Sequence, residues 1–264
     1  QQGQSLINAT WDDASEKVVS HKGQNGHLNE DVMKQILSSY SPHEREMRRY
    51  GRPSIGSGLI FPVNEEKIIT DPVHLEDHWP RIAAIDFGWD HPTAVVWCAI
   101  DRDEETFYVY DCYRMSKASP SVHSETIRTR PHFIPIAYPH DGNRRDSMGN
   151  PGLADQYRNL GCNVMLNHFT NPPALGENKG GNSVEEGLMA MIQGMENGKF
   201  KVFSTLPDWF EEFRMYHRKG GKVVAFRDDI MSATRYAFQS QRFAVSGKDP
   251  TWTNDIKYGN YGII

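Results

Sequence analysis

Apolar and polar positions alternate in blocks between residues 81 and 142, where the first three of four apolar runs are separated by short polar breaks and the fourth follows a longer segment. Val, Ile, Phe and Tyr are common in these runs, as they are in β-strands. Short polar turns such as DRDEET join the first three runs, which predicts an antiparallel meander. The four predicted strands are RIAAIDFG, HPTAVVWCAID, ETFYVYDCYRM and FIPIAYPHDG.

After residue 120 several segments space their apolar residues at the helical period, with short apolar runs between them. One of these segments begins with Ser183 followed by Glu186, the pattern of a capping box. Antiparallel strands followed by alternating strands and helices predict an α/β domain with a mixed central β-sheet flanked by helices. The predicted helices are 121–130, 152–161, 183–198, 207–218 and 228–243, and the further predicted strands are 58–63, 162–169, 199–203 and 222–226.

The two ends of the chain differ in texture from its centre. Residues 1–52 are polar and helical in character, with one predicted helix beginning at the cap residue Asn29 and another over 41–51. The tail 246–264 is rich in Gly, Asn and Tyr and is predicted to be extended. We therefore divide the chain into a helical segment, a globular domain over 53–245 and a tail.

Composition narrows the functional classes. With 264 residues, 38% of them hydrophobic, the chain can bury a sizeable core. No apolar run approaches the roughly 18 residues of a membrane span, and the N-terminus lacks the features of a signal peptide. The three cysteines lack metal-type spacing, so we expect a reducing compartment and no zinc site. The net charge of −5 means that any nucleic-acid binding must rest on local basic patches and metal ions.

Acidic residues stand at the ends of predicted elements. Asp86 ends the first strand of the meander, Asp141 ends the fourth predicted strand, and Asp228 and Asp229 open the last helix. Carboxylates gathered at such ends raise one another's pKa, and divalent cations relieve that conflict. Mg²⁺ and Mn²⁺ prefer hard oxygen ligands, so the pattern is compatible with a metal site.

The same residues have structural explanations. An aspartate before a glycine commonly forms a turn, and an aspartate at a helix start commonly caps it. Asp90 and Asp111 are also possible ligands, although Asp111 is expected to face solvent. The chain contains no GxxxxGK[ST], GxGxxG, GxSxG or HExxH motif. Pattern alone leaves the metal site as one interpretation among others.

Longer phrases carry a resemblance that these spacings do not. The chain resembles the C-terminal nuclease part of the large terminase subunit of tailed double-stranded DNA bacteriophages. The matching phrases run from about residue 9 to residue 238, in family order. They are ATWDDA, SYSPHEREMRRYGRPSIGSGLIFPV, IDFGWDHPTAVVW, YVYDCYRMS, IAYPHDG, LADQYRNLGCNVM, SVEEGLMAMIQGMENGKFKVF, EEFRMYHRKGGKVV and DDIMSATRYA.

The resemblance implies a ribonuclease H-like fold and assigns the acids. Asp86 in IDFG corresponds to the first catalytic aspartate, Asp141 in PHDG to the second acidic ligand, and RDDIMSA supplies the third. We favour Asp229 over Asp228 for that third ligand, because it lies one helical turn before Ser232. Some relatives carry an acid at the position of Ser232, so a fourth acidic ligand is in doubt here.

The resemblance also implies an activity and partners. Two divalent ions, Mg²⁺ or Mn²⁺, would serve hydrolysis of phosphodiesters, one held by Asp86 and an acid of the last helix, the other by Asp86 and Asp141. The family cuts concatemeric double-stranded viral DNA at the start and end of packaging, in the host bacterial cytoplasm and not in the mature virion. Its partners are the portal protein, the small terminase subunit and the ATPase domain of the same full-length subunit, with no membrane. Residues 1–52 would be the end of that ATPase module and a linker, so no ATPase activity is expected of this chain.

Two basic segments could position DNA phosphates, although a solvated loop explains each segment equally well. The candidates in these segments are Arg144, Arg145, Arg214, His217, Arg218 and Lys219.

The tail from residue 246 could contact the portal, or it could be a terminus without that role. His140 could assist proton transfer, but a structural role is favoured. Two other functions stay open: a module that binds DNA or the portal without cutting, and a junction-specific resolvase of the same fold.

Overall fold

A six-stranded mixed sheet forms the centre of the protein. The computed structural model describes residues 29–38, 58–144, 149, 151–173 and 180–247. The strand order is β1-β6-β4-β3-β2-β5, with β2–β3 and β3–β4 antiparallel and the other neighbours parallel. The strands β1 to β6 are Ile69–Thr70, Arg81–Asp86, Thr93–Asp101, Thr106–Met115, Ile136–Ala137 and Phe200–Phe203.

Helices cover the sheet, as predicted. The Asn29 side chain accepts a hydrogen bond from the backbone N–H of Asp31 at 2.8 Å, which confirms the predicted start of the first helix. Ser183 likewise accepts from the backbone N–H of Glu186, at 3.4 Å. None of the described helices is long and apolar enough to cross a membrane. The helices α1 to α6 are Glu30–Ser38, Pro120–Ile127, Leu153–Asn159, Val184–Glu196, Pro207–Met215 and Asp229–Gln239.

The predicted meander β2-β3-β4 is confirmed and sits at the middle of the core. Every residue of β3 is buried, which explains why its sequence reads as a nearly continuous apolar run. Asp86, the last residue of β2, lies opposite Ala94 in the ladder. Helix α6 packs against β2, β3 and β4, and the Trp209 indole N–H of α5 anchors it by donating to Thr234 Oγ1 at 3.0 Å.

The strand predicted over 58–63 is wrong. Only an isolated bridge between Leu59 and His217 forms there. The side chains of Ile60, Phe61 and Val63 are nevertheless buried, and Phe61 stacks on Phe213 of α5 with ring centroids 5.6 Å apart. Apolar residues in this segment therefore serve side-chain packing rather than ladder pairing.

Other predicted strands are shorter than expected. The fourth is reduced to the two residues of β5, because Pro135 and Pro139 flank it and cannot donate to a ladder. Residues 162–169 contribute one bridge, Val164 to Ile136. Residues 222–226 do not join the central sheet. Instead, β7 (Arg218–Lys219) and β8 (Lys222–Val223) form a separate hairpin.

Three predicted helices end three or four residues early. The helix predicted over 121–130 stops at Ile127, the one over 207–218 stops at Met215, and the one over 228–243 stops at Gln239 before a short 3-10 turn. The predicted helix over 41–51 and nearly all of the tail lie outside the described residues.

Candidate functional site

The carboxylates singled out by sequence meet at one end of the sheet. Asp86 ends β2, Asp141 lies in the 3-10 helix that follows β5, and Asp228 and Asp229 stand at the start of α6. The pKa of Asp86 is raised to about 8, first by burial and then by the charges of Asp229, Asp228 and Asp141. The fold therefore brings the acids within electrostatic reach of one another.

The turn after β2 is tightly built. Gly88 donates its N–H to Thr93 Oγ1 at 3.2 Å, and the Thr93 hydroxyl donates back to the Gly88 carbonyl at 2.9 Å. A Cβ at Gly88 would lie 2.3 Å from the His91 carbonyl oxygen, so a side chain cannot fit without moving backbone. This turn fixes the end of the strand that carries Asp86.

A tyrosine missed by the sequence reasoning also touches the site. The Tyr236 hydroxyl donates to Asp86 Oδ1 at 3.3 Å, from two turns farther along α6 than Asp229. Burial followed by the charge of Asp86 raises the pKa of this phenol, so it stays a proton donor. The only feature of the sequence that could have indicated this tyrosine is its spacing of two helical turns from Asp229.

Asp141 is not at a strand end, which corrects the prediction. It lies in the 3-10 helix His140–Asn143, because Pro139 terminates ladder pairing before it. Gly142 lets this turn approach the first one, since a Cβ there would lie 2.5 Å from the Phe87 ring. The Asp141 residue itself is exposed.

The start of α6 is not capped by an aspartate, which is a second correction. Asp228 occupies the N-cap position, yet its side chain makes no capping hydrogen bond. Instead, Oε2 of Glu212 on α5 accepts from the backbone N–H groups of Ile230 at 2.7 Å and Met231 at 3.3 Å. Glu212 thus binds the N–H groups that a capping aspartate would otherwise have to satisfy. Sequence spacing does not reveal it, because the contact joins two helices.

The two acids of α6 differ in their surroundings. Burial, then the charge of Asp229, raises the pKa of Asp228 to about 6. Burial also raises the pKa of Asp229, and the nearby imidazole of His91 opposes that rise. Asp229 is only 7% exposed, and its Oδ2 is buried without a hydrogen-bond partner. An orphaned carboxylate oxygen is expensive to bury, so it calls for a cation or a donor.

The donor set fits a divalent metal ion. Mg²⁺ and Mn²⁺ prefer carboxylate oxygens, and Asp86, Asp141 and Asp229 supply them from a strand, a 3-10 helix and an α-helix. Within the described residues no three His, Cys, Asp or Glu side chains already stand in the arrangement of a metal site. The fit therefore rests on the chemistry of the donors and on the orphaned Asp229 oxygen. Asp229, which we favoured over Asp228 as a metal ligand from the sequence, is the residue that carries this oxygen.

The other predicted candidates are exposed, half-buried in an ion pair, or nearly buried. Asp90 is exposed in the turn after β2, whereas Asp111 accepts an ion pair from Arg130 at 2.8 Å and is not free in solvent. His140 is exposed, with its ring edge against His168. Ser232, where a fourth acid was in doubt, is 8% exposed and presents little surface to the site.

Two of the predicted DNA-contacting arginines are ion-paired within the protein. Arg214 donates from Nε and Nη2 to the two carboxylate oxygens of Glu65, both at 2.7 Å. Arg218 pairs with Glu185 at 2.5 Å. A DNA phosphate would have to displace these carboxylates, so both arginines are weak phosphate candidates.

The remaining basic candidates have different surroundings. The Nδ1 atom of His217 lies 2.8 Å from the Met215 carbonyl oxygen. Lys219 is exposed in the β7–β8 hairpin, and Arg144 is exposed just after the 3-10 helix of Asp141. Arg145 lies outside the described residues. Lys219 and Arg144 therefore remain the better phosphate candidates among these.

Comparisons with known proteins agree with the fold. Residues 83–241 match the family of terminase RNaseH-like domains. The chain is 39% identical over 224 residues to the large terminase subunit of Salmonella phage P22, covering 84% of this chain and 44% of that protein. It is also 39% identical over 213 residues to the large subunit of Enterobacteria phage LP7, covering 80% of this chain and 44% of that protein. The chain thus spans less than half the length of these curated relatives.

Solved structures point the same way. The P22 large terminase nuclease domain superposes with a TM-score of 0.65 at 38% identity, covering 72% of this chain and 95% of that one. The large terminase of a thermophilic bacteriophage gives a TM-score of 0.53 at 12% identity, covering 82% of this chain and 53% of that one, which shows a shared fold. The resemblance and the ribonuclease H-like fold predicted from sequence are both confirmed. By its sequence and its structure, the chain belongs to the terminase family and carries that family's RNaseH-like domain.

Proposed function

We propose that this chain is the nuclease portion of a viral DNA-packaging terminase and cuts double-stranded DNA with the help of two divalent metal ions. The observation that carries the proposal is the convergence of Asp86, Asp141 and Asp229, with one buried oxygen of Asp229 left without a partner. The similarity to the P22 large terminase nuclease domain supports the same reaction class.

Asp86 is the shared ligand in this proposal, because its charge interacts with Asp141 and with both acids of α6. Asp141 would hold one ion with it, and Asp229 the other. When bound, the ions supply positive charge that lowers the pKa of an attacking water and stabilises the departing 3′ oxygen. The Tyr236 hydroxyl holds Asp86 Oδ1 and so limits the rotation of that carboxylate. Lys219 and Arg144 would bind flanking phosphates.

The wider role is also a proposal. We infer that the chain acts within a longer subunit, with residues 1–52 leading from an ATPase module, 53–245 forming the nuclease and 246–264 a tail. Portal protein and small terminase subunit would deliver concatemeric DNA to it in the host cytoplasm. Both inferences are supported by the match to large terminase subunits that are more than twice as long as the matched region.

The test is nicking of supercoiled plasmid by the purified chain in Mn²⁺ or Mg²⁺, with EDTA as the blank. Asp86→Asn should abolish cleavage. Asp155→Asn is a matched control, because that carboxylate lies on α3 and pairs with Arg158. Equal nicking by the wild type and Asp86→Asn would refute the site.

Two other results would favour the alternative functions. DNA binding without cleavage by any variant would favour a packaging module that grips DNA. Preference for four-way junctions over linear duplex, in competition, would favour a resolvase.

A further inference from the structure

The first turn of α6 is capped from another helix. A helix start leaves its first N–H groups without intrahelical partners, and a Ser, Thr, Asp or Asn at the N-cap usually satisfies one of them. Here Asp228 holds that position without making the bond. Glu212 of α5 accepts from Ile230 and Met231 instead, the two residues that follow Asp229.

Glu212 is itself held on its other oxygen. Its side chain is fully buried, and Arg114 of β4 donates from Nη1 to its Oε1 at 3.2 Å. The Nη2 atom of Arg114 donates to Glu211 at 2.7 Å and to Asp208 at 3.0 Å, both on α5. One carboxylate therefore connects β4, α5 and the start of α6, and both of its oxygens are occupied.

The residue before the acid pair is tied to the same network. Arg227 has a positive φ of 51°, a conformation that side chains other than Gly seldom adopt. Its guanidinium pairs with Glu211, which also binds Arg114. Residues on both sides of Asp228 and Asp229 thus bind acids of α5, Arg227 through its side chain and Ile230 and Met231 through their backbone N–H groups.

Such a cap is a poor choice for stability alone. Glu212 places a further buried carboxylate beside Asp229, and a capping side chain at Asp228 could satisfy the same turn locally. Local rules that are broken at one place commonly mark a site under functional constraint. Here the first N–H groups of α6 are satisfied by Glu212, and Oδ2 of Asp229 stays buried without a hydrogen-bond partner.

Building on the proposed function, we propose that Glu212, held by Arg114, is a positioning residue that sets where Asp228 and Asp229 stand and thereby the affinity of the site for divalent metal. Glu212 does not bind the metal. It acts through the backbone of Ile230 and Met231, as residues behind metal ligands do elsewhere.

The test is Mn²⁺ binding to the metal-free chain, followed by electron paramagnetic resonance of the free ion. Glu212→Ala should weaken binding by about tenfold or more. Glu212→Gln keeps an acceptor oxygen but loses the charge, so its Mn²⁺ affinity should lie between that of Glu212→Ala and that of the wild type. Glu65→Gln is the matched control, because it alters another buried glutamate that pairs with an arginine of α5, Arg214. It should leave Mn²⁺ affinity unchanged.

Cleavage provides a second readout. Glu212→Ala should need about tenfold more Mn²⁺ for half-maximal nicking yet approach the wild-type rate at saturation, because the ligands themselves remain. Wild-type Mn²⁺ affinity in both Glu212 variants would overturn the inference, as would an equal loss in Glu65→Gln. If Glu212→Ala does not fold, unchanged affinity in Glu212→Gln is sufficient to overturn it.

The proposed function can fail separately. If Asp86→Asn binds Mn²⁺ as the wild type does, the metal site is wrong and this inference falls with it. If Asp86→Asn loses binding but the Glu212 variants keep it, only the positioning role is wrong.

Discussion

Replacing Asp86 by asparagine should make the metal-free protein more stable, although it removes a proposed catalytic residue. Burial and the charges of Asp229, Asp228 and Asp141 raise the pKa of Asp86 from its ordinary 3.8 to about 8. Asparagine has a similar shape and never ionises. The variant therefore escapes the cost of a buried carboxylate among other carboxylates.

The sign and size follow from proton linkage. Between pH 3.8 and about 8 the unfolded chain has lost the proton of Asp86 while the folded chain keeps it. The contribution of this group to stability is thus fully present below the lower value and is lost as the pH rises to the upper one. One pKa unit corresponds to about 1.4 kcal/mol, so the gap between variant and wild type should widen by about 4 kcal/mol from pH 5 to pH 8.

Urea unfolding in EDTA at pH 5 and pH 8 measures this gap, with Asp155→Asn as the control whose gap should stay constant. Added Mn²⁺ should stabilise the wild type and leave Asp86→Asn unaffected, since binding to the native state alone raises its stability. The reasoning is refuted if the gap does not grow with pH, or if the variant is the less stable protein at pH 8.

Three further substitutions test the site and its surroundings. Asp229→Asn should slow Mn²⁺-dependent plasmid nicking by about 100-fold, and Asp228→Asn by less; equal losses would contradict the ranking. Lys219→Ala should lower the slope of log Kd against log salt for duplex DNA by about one in fluorescence anisotropy; an unchanged slope would place the hairpin away from DNA. Arg214→Ala should lower the free energy of unfolding by about 3 kcal/mol without changing that slope, because it removes the arginine bound to buried Glu65. Wild-type stability in urea with a lower slope would instead make Arg214 a DNA contact.

Sequence patterns correctly predicted those strands whose side chains pack in the core and whose backbone also pairs in the central sheet. The strands β2, β3 and β4 are long and adjacent in the chain, β2 and β3 are largely buried and β4 is mostly half-buried, so their apolar runs identify them. Residues 58–63 and 162–169 are also apolar, yet they pack without pairing beyond single bridges. Apolar content reports burial and does not distinguish these two cases.

The acids of the candidate site could be predicted from the sequence, but the residues that hold them in place could not. Asp86, Asp141 and the pair Asp228 and Asp229 stand at ends of predicted elements, and the family phrases assign them as metal ligands. Glu212 and Tyr236 reach the acids across the fold, from positions that look like ordinary helix residues in the sequence. The pairing of Arg214 with Glu65 was hidden for the same reason, since long-range partners leave no local spacing.

The order of the acids along the chain has a consequence for synthesis. Asp86 and Asp141 are translated well before α6, which brings Asp229 and Tyr236 onto the finished meander. A ribosome-bound chain that ends before Gln239 cannot assemble the full set of carboxylates, because domains acquire such non-local contacts only when their last element is available. Under the proposed function, a nascent chain that ends before Gln239 would be unable to cut nucleic acid.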